Sequence, residues 1–223
     1  MDFLSDYLET NSGRDKIFRL LSYTAKLTTV CTSSKDTERK LKTFGSQMSE
    51  CRVMLRLLDD IPALQEIMSY GWGKQESDWL IRCCQLMQHA VGVVYAPIEH
   101  IAWAGQHKIV SITNDKWDLV TTIFWIISLQ LSIVKSLRML QGLQQRKTNL
   151  ANNNSNKCMI EEINKKRLDV LLSCIRYTLD FVYAVHYLPP NVLWGGRFKT
   201  WQVGAFGTIS SCIGLYQSFS SIQ

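Results

Sequence analysis

Proline is scarce: four in 223 residues, at positions 62, 97, 189 and 190, each where helical periodicity breaks. No alternation of polar and β-branched residues runs long enough to argue a sheet, so the chain reads as nearly all helix. The seven cysteines, Cys31, Cys51, Cys83, Cys84, Cys158, Cys174 and Cys212, form no CxxC pair and no metal-ligand spacing. Asp2, Asp6 and Glu9 interrupt any apolar core of a signal peptide, so a protein made and kept in a reducing compartment is expected. Asn153-Asn154-Ser155 matches a glycosylation sequon, read here as chance.

Catalytic patterns are missing too. No GxxxxGK, GxGxxG or nucleophile elbow occurs, and His89, His100, His107 and His186 stand without a ligand pair. The expectation is a protein that is not an enzyme, with no catalytic, cofactor-binding or metal residue. The basic residues lack the interleaved aromatic or glycine pattern of a nucleic-acid module.

The most telling absence is charge. Leu119 to Val134 carries none, and neither does the chain after Lys199. The first stretch would reach about 24 Å as a helix, against roughly 30 Å of hydrocarbon. Trp117 at the rim and a snorkelling Lys135 bring it to a workable length. The second carries a small-residue stripe, Gly204, Gly207, Ser211, Gly214 and Ser218, at helical spacing. In water such glycines cost about 1 kcal/mol each, whereas in a bilayer they let another helix approach closely, within the chain or between copies.

Charge is also uneven. Residues 1–116 are balanced, so the formal +6 sits in the second half, as suits anionic lipid headgroups. Ahead of the spans, a first helix from Ser12 or Gly13 places Ile17, Leu20, Leu21, Thr24 and Leu27 opposite Lys16, Arg19, Tyr23 and Lys26. A second carries Leu41, Phe44, Met48, Cys51, Leu55 and Leu58, with Arg52 and Arg56 on the shoulder. By pattern alone this stripe suits a bundle core better than a membrane surface. Asp59-Asp60 and Pro62 end it and start the next helix. Gly71-Trp72-Gly73 is a turn, and Asp78 to Tyr95 reads as a buried or interfacial helix broken at Pro97.

The expected architecture is an all-α membrane protein with N-terminal amphipathic helices and at least two membrane-spanning helices. Residues 1–116 form the amphipathic part, 117–140 a span, 141–160 a polar loop, 161–188 a helix and 192–223 a glycine-striped span.

Several strings, in order from residue 13 to about 217, resemble the peroxin-eleven family of peroxisomal membrane proteins, in particular its gamma branch. They are Gly13-Arg14-Asp15-Lys16 with Arg19 and Tyr23, Leu55 to Asp60 preceded by Arg52, Tyr95 to Ala104, Leu193 to Phe198, and Gly207 to Ser211. The family often has Gln before that tyrosine, where this chain has Ser22.

The resemblance implies a multi-pass protein of the peroxisomal membrane that promotes elongation and fission and sets organelle size and number. It implies self-association, heteromers with other family members, a fission adaptor with a dynamin-like GTPase, and an import receptor, for which Lys165–Leu179 is a candidate signal. The membrane-remodelling helix would be Leu41–Leu58, with Leu55 and Leu58 in anionic lipid and Arg52 and Arg56 on headgroups. A channel for small solutes, lined by Ser128, Gln130 and Ser132, is the alternative. The nine basic and three acidic residues of Lys135–Arg176 favour a cytosolic loop, whereas the resemblance implies a lumenal one.

Overall fold

A computed structural model describes residues 2–152 and 157–220. Among these every regular element is helical: α1 (Asp2–Glu9), α2 (Asn11–Thr28), α3 (Lys35–Arg56), α4 (Asp60–Tyr70), α5 (Trp79–Gln106), α6 (Asn114–Asn152), α7 (Lys157–His186) and α8 (Thr200–Ser220), with one 3-10 turn after α2.

Local chemistry sets these boundaries. Thr10, Ser34 and Asp78 cap α2, α3 and α5 by accepting backbone N–H bonds from Gly13, Thr37 and Leu80. Pro62 sits in the first turn of α4, where its missing N–H costs nothing. Pro97 does not end its helix as expected. It lies inside α5, which runs on to Gln106, and the ties of Glu99 to Arg56 and of His100 to Leu57 O hold the helix just past the lost backbone bond.

Two further expectations are corrected. The polar loop at 141–160 is mostly helix, because α6 continues to Asn152 and α7 starts at Lys157, stabilised by pairing as a hairpin. The sequon at 153–155 falls outside the described residues. At the other end, 192–199 is a turn and α8 begins only at Thr200.

The helices pack in the order α3, α2, α8, α7, α6, α5. A polar junction between α3 and α5 brings the two ends together. There Arg56 pairs with Glu99, and Tyr95 donates to the same carboxylate at 2.8 Å. Tyr23, Tyr183 and Val203 form the core, with Trp125, Phe198 and Phe206 against it.

What the bundle turns inward is unusual for a water-soluble protein. Ser22 and Ser210 are fully buried, and Asp180 and Ser211 nearly so. Outside, Met87, Val93, Val94 and Ile101 of α5, Ile123 and Val134 of α6, and Ile175 of α7 are exposed. In α2 the face of Lys16, Arg19 and Tyr23 turns toward the bundle, with Tyr23 buried, while Leu21 on the apolar stripe is exposed. Polar groups paired inside the bundle, beside an aromatic core and under exposed apolar side chains, suit a lipid solvent.

Among the described residues one helix, α6, is long and apolar enough to cross a membrane, not the two expected. The stretch is little buried inside the bundle. The serines, threonines, glutamines and glycines of α8 lower its apolar character below that mark.

Candidate membrane-embedded site

The N-terminal motif is a set of fasteners radiating from α2. Gly13 lies where a Cβ would strike the Tyr7 carbonyl, so α1 folds tightly back on α2. Arg14 donates to Leu8 O at 2.7 Å and Glu9 O at 3.0 Å, satisfying the open end of α1. Asp15 accepts from Arg52 Nε of α3 at 2.9 Å, and Lys16 donates to Ser218 of α8 at 2.8 Å.

Arg19 is the hub. Its Nη2 reaches Asp180 Oδ1 at 2.5 Å, Ser210 Oγ at 2.9 Å and Tyr183 OH at 3.3 Å. Tyr23 OH donates to Tyr183 OH at 3.0 Å. Burial by itself opposes the Arg19 charge, but Tyr183, Asp180 and Tyr23 outweigh it and hold the guanidinium above its ordinary pKa. Burial likewise raises the Tyr23 phenol, keeping it a neutral donor. Ser22, at the family's departure, donates to Gly45 O at 2.9 Å and bonds Ser49 at 2.8 Å. A short side chain is required there, since α2 and α3 approach across Gly45.

The small-residue stripe on α8 packs within the chain. A Cβ on Gly204 would lie 2.7 Å from the Lys26 carbonyl carbon, and one on Gly207 would lie 2.6 Å from Tyr23 Cε1. Ser211 donates to Gly207 O, and Gly214 faces Arg176. The stripe is therefore filled by α2 and Tyr23, which leaves the opposite face, Ile209 and Tyr216, exposed.

The expected remodelling helix is corrected in part. Arg52 and Arg56 turn inward to Asp15 and Glu99 instead of outward to headgroups. Burial works against the Arg56 charge and Glu99 more than restores it. Leu41, Met48, Cys51 and Leu55 are half-buried, whereas Phe44 and Leu58 are exposed. The apolar surface starts at Leu58, the end of the expected helix, and continues beyond it over the corner between α3 and α4. Leu58 is 78% exposed, Ile61 69%, Met68 81% and Trp72 75%, with Met54 and Leu64 beside them. The i, i+3, i+7 spacing of Ile61, Leu64 and Met68 was the available signal, in a helix too short to stand out.

The residues named for a channel divide. Ser128 lines a central cavity, Ser132 accepts from Gln88 and lines a second one of about 310 Å³, and Gln130 points away from the bundle. Among the described residues no three His, Cys, Asp or Glu side chains converge as a metal site would need.

The remaining motif strings are joints. Trp194 donates to Val182 O at 2.6 Å, and Gly196 N–H, at φ +70°, donates to the His186 carbonyl at 2.8 Å, closing α7. His100 places its ring nitrogens at Ala96 O and Leu57 O, tying α5 to the end of α3.

An all-helical bundle with a buried polar network, apolar side chains exposed on α5 to α7 and one helix long and apolar enough to span has the build of a helical membrane protein. The chain belongs to the family described as peroxisomal biogenesis factor 11 (PEX11), whose model matches residues 1–219. It is 33% identical over 227 residues to the human peroxisomal membrane protein 11C, covering 96% of this chain and 92% of that one. The Mus musculus protein of the same name is 31% identical over 223 residues, with the same coverage. The peroxisomal membrane protein 11 homolog of Dictyostelium discoideum is 24% identical over 245 residues, covering 97% and 93%. No solved structure matches. The chain is thus a gamma-like member of a family of peroxisomal membrane biogenesis proteins.

Proposed function

We propose that this protein elongates the peroxisomal membrane ahead of fission, and so sets organelle size and number, by wedging the α3–α4 corner into one leaflet. The observation that supports this is the exposed run Leu58, Ile61, Met68 and Trp72, attached through Arg56–Glu99 to a bundle that sits in the bilayer. A short apolar helix held at the interface expands the leaflet it enters, and Trp72 and Trp79, both exposed, favour interfacial depth. Headgroup attraction falls to the α6–α7 stem, where Arg146, Lys165, Lys166 and Arg167 are exposed, at about 1 kcal/mol per basic residue. In this reading α5, α7 and α8 cross the membrane beside α6, which makes the protein multi-pass.

Scission needs an energy source, and the chain has no phosphate-binding loop. A fission adaptor and a dynamin-like GTPase supply that step, and copies of this chain and other family members gather at the site. The test uses purified protein in liposomes containing anionic lipid. A Leu58→Glu, Met68→Glu variant should insert and melt like the parent yet lose tubulation, and shorten peroxisomes in cells. Undiminished tubulation refutes the wedge.

A second reading, a pathway for small solutes, is favoured by the two cavities that share Gln88 and run past Ser128 and Ser132. Conductance steps in planar bilayers that vanish in Ser132→Leu would support it; their absence from the parent protein would end it.

A further inference from the structure

We propose that the cavity enclosed by α2, α3, α5, α6 and α7 binds an anionic amphiphile, its carboxylate or phosphate head on the arginines of α2 and α3 and its acyl chain against Phe124 and Trp125. The cavity holds about 450 Å³, within the range of small-molecule sites. Its wall carries three guanidiniums, Arg19, Arg52 and Arg56, and no carboxylate. The partner acids, Asp180, Asp15 and Glu99, sit behind the arginines and fix their direction. Arg19 Nε is buried and lacks a hydrogen-bond partner, a donor left over for an incoming anion.

The rest of the wall fits a chain. Val53, Val91, Phe124 and Trp125 provide apolar surface, and Gly92 leaves room, since a Cβ there meets nothing within 4 Å. Thr121 and Thr122 already donate to Asp118 O in their own helix, so they add little competing polarity. The neighbouring cavity offers a contrast: Gln85, Gln88, Ser132, Lys135 and Ser173 line it, and a hydrocarbon chain would find few partners there. A guanidinium cluster beside an apolar floor selects a charged head with a greasy tail over either part alone. The site shares Arg56 with the joint that carries the wedge but lies inside the bundle, away from the exposed Leu58, Ile61, Met68 and Trp72, so absence of ligand binding leaves the wedge reading standing.

The test uses full-length protein in phosphatidylcholine nanodiscs, with doxyl-stearate as a quencher of tryptophan fluorescence. Quenching should saturate, lose most of its amplitude in Trp125→Phe, and be reversed by palmitate or lysophosphatidic acid but not by monoolein or inorganic phosphate. The stronger of the two competitors tells a carboxylate head from a phosphate head. Arg52→Gln, Arg56→Gln should weaken binding about tenfold or more, in line with the loss of charge-assisted bonds. Should that variant fail to fold, Gly92→Leu decides: its Cβ meets nothing within 4 Å and the rest of the side chain takes up cavity space, so melting should hold and saturable quenching should vanish. Quenching that never saturates, persists in Gly92→Leu, or yields equally to monoolein overturns the proposal.

Discussion

Gly204→Ala is the sharpest single test of the close approach between α2 and α8. The new methyl would sit 2.7 Å from the Lys26 carbonyl carbon and 2.8 Å from Leu27 Cα, and nearer still to the Leu27 amide. Carbon atoms in contact settle at about 3.5–4.0 Å, so the two helices must part by roughly 1 Å. Neither obstacle is a side chain that can swing aside. Parting stretches Lys16–Ser218 and Arg19–Ser210, now at 2.8 and 2.9 Å. Overpacking of this kind costs about 1–3 kcal/mol. Two strained hydrogen bonds add about 1 kcal/mol each, and the better helix propensity of alanine returns about 1 kcal/mol. The net loss is about 2–4 kcal/mol. Gly142→Ala is the control, because a Cβ there meets nothing within 4 Å, and it should gain about 0.5–1 kcal/mol. Thermal unfolding followed by circular dichroism in one detergent compares them. Equal melting temperatures for the two variants would refute the packing. A lowered oligomer yield with unchanged melting would instead assign the stripe to contacts between copies.

Two further outcomes follow from the polar interior. Arg19→Met strands the Asp180 carboxylate and should cost about 3–5 kcal/mol, most of it recovered in Arg19→Met, Asp180→Leu, as a double-mutant cycle of melting curves would reveal. Trp194→Phe keeps the ring near Phe181 but removes the 2.6 Å bond to Val182 O, so stability should fall by about 1 kcal/mol in the same assay.

The helical class and the membrane setting were legible because both follow from composition along the chain: charge-free stretches, helical spacing and few breakers. The joints were legible only as strings without geometry. Arg19 and Tyr23 stand out as residues, but their partners Asp180 and Ser210 lie on helices far along the chain, and no local pattern links them. The error of substance concerns α3, where Arg52 and Arg56 on the shoulder of the stripe were expected to meet headgroups. In this bundle Arg52, Arg56 and the polar side of α2 go inward, because lipid leaves their charges nowhere better to go. Pro97 was taken as a boundary for a local reason, and tertiary packing carries α5 through it.

The length of α6 fixes where the membrane must lie. Its 39 residues reach about 58 Å, nearly twice a hydrocarbon core of about 30 Å. The uncharged stretch 119–134 fits inside, so everything from Lys135 onward, together with the paired half of α7, projects on one side. Basic residues are concentrated on that projection, and Arg138 is tied to Asp78 at the start of α5, at 2.7 Å, which marks the edge of the slab. The Asp118 end of α6 and the Gln106 end of α5, joined at 3.0 Å, mark the other edge. The α3–α4 corner cannot lie far from that second edge, because His100, less than two turns before Gln106, contacts Leu57 O. From that corner α4 runs back along α5, with Tyr70 against His89 at 5.0 Å between ring centroids and Trp72 O accepting from Arg82 Nε at 2.7 Å, so its far end lies near the Asp78 edge from which the stem projects. If the apolar corner shapes the leaflet and the stem only anchors, neutralising Lys165, Lys166 and Arg167 should weaken binding to anionic vesicles while leaving tubulation by the vesicle-bound protein intact. Loss of tubulation in that variant at equal bound protein would assign the curvature to the stem and contradict the wedge.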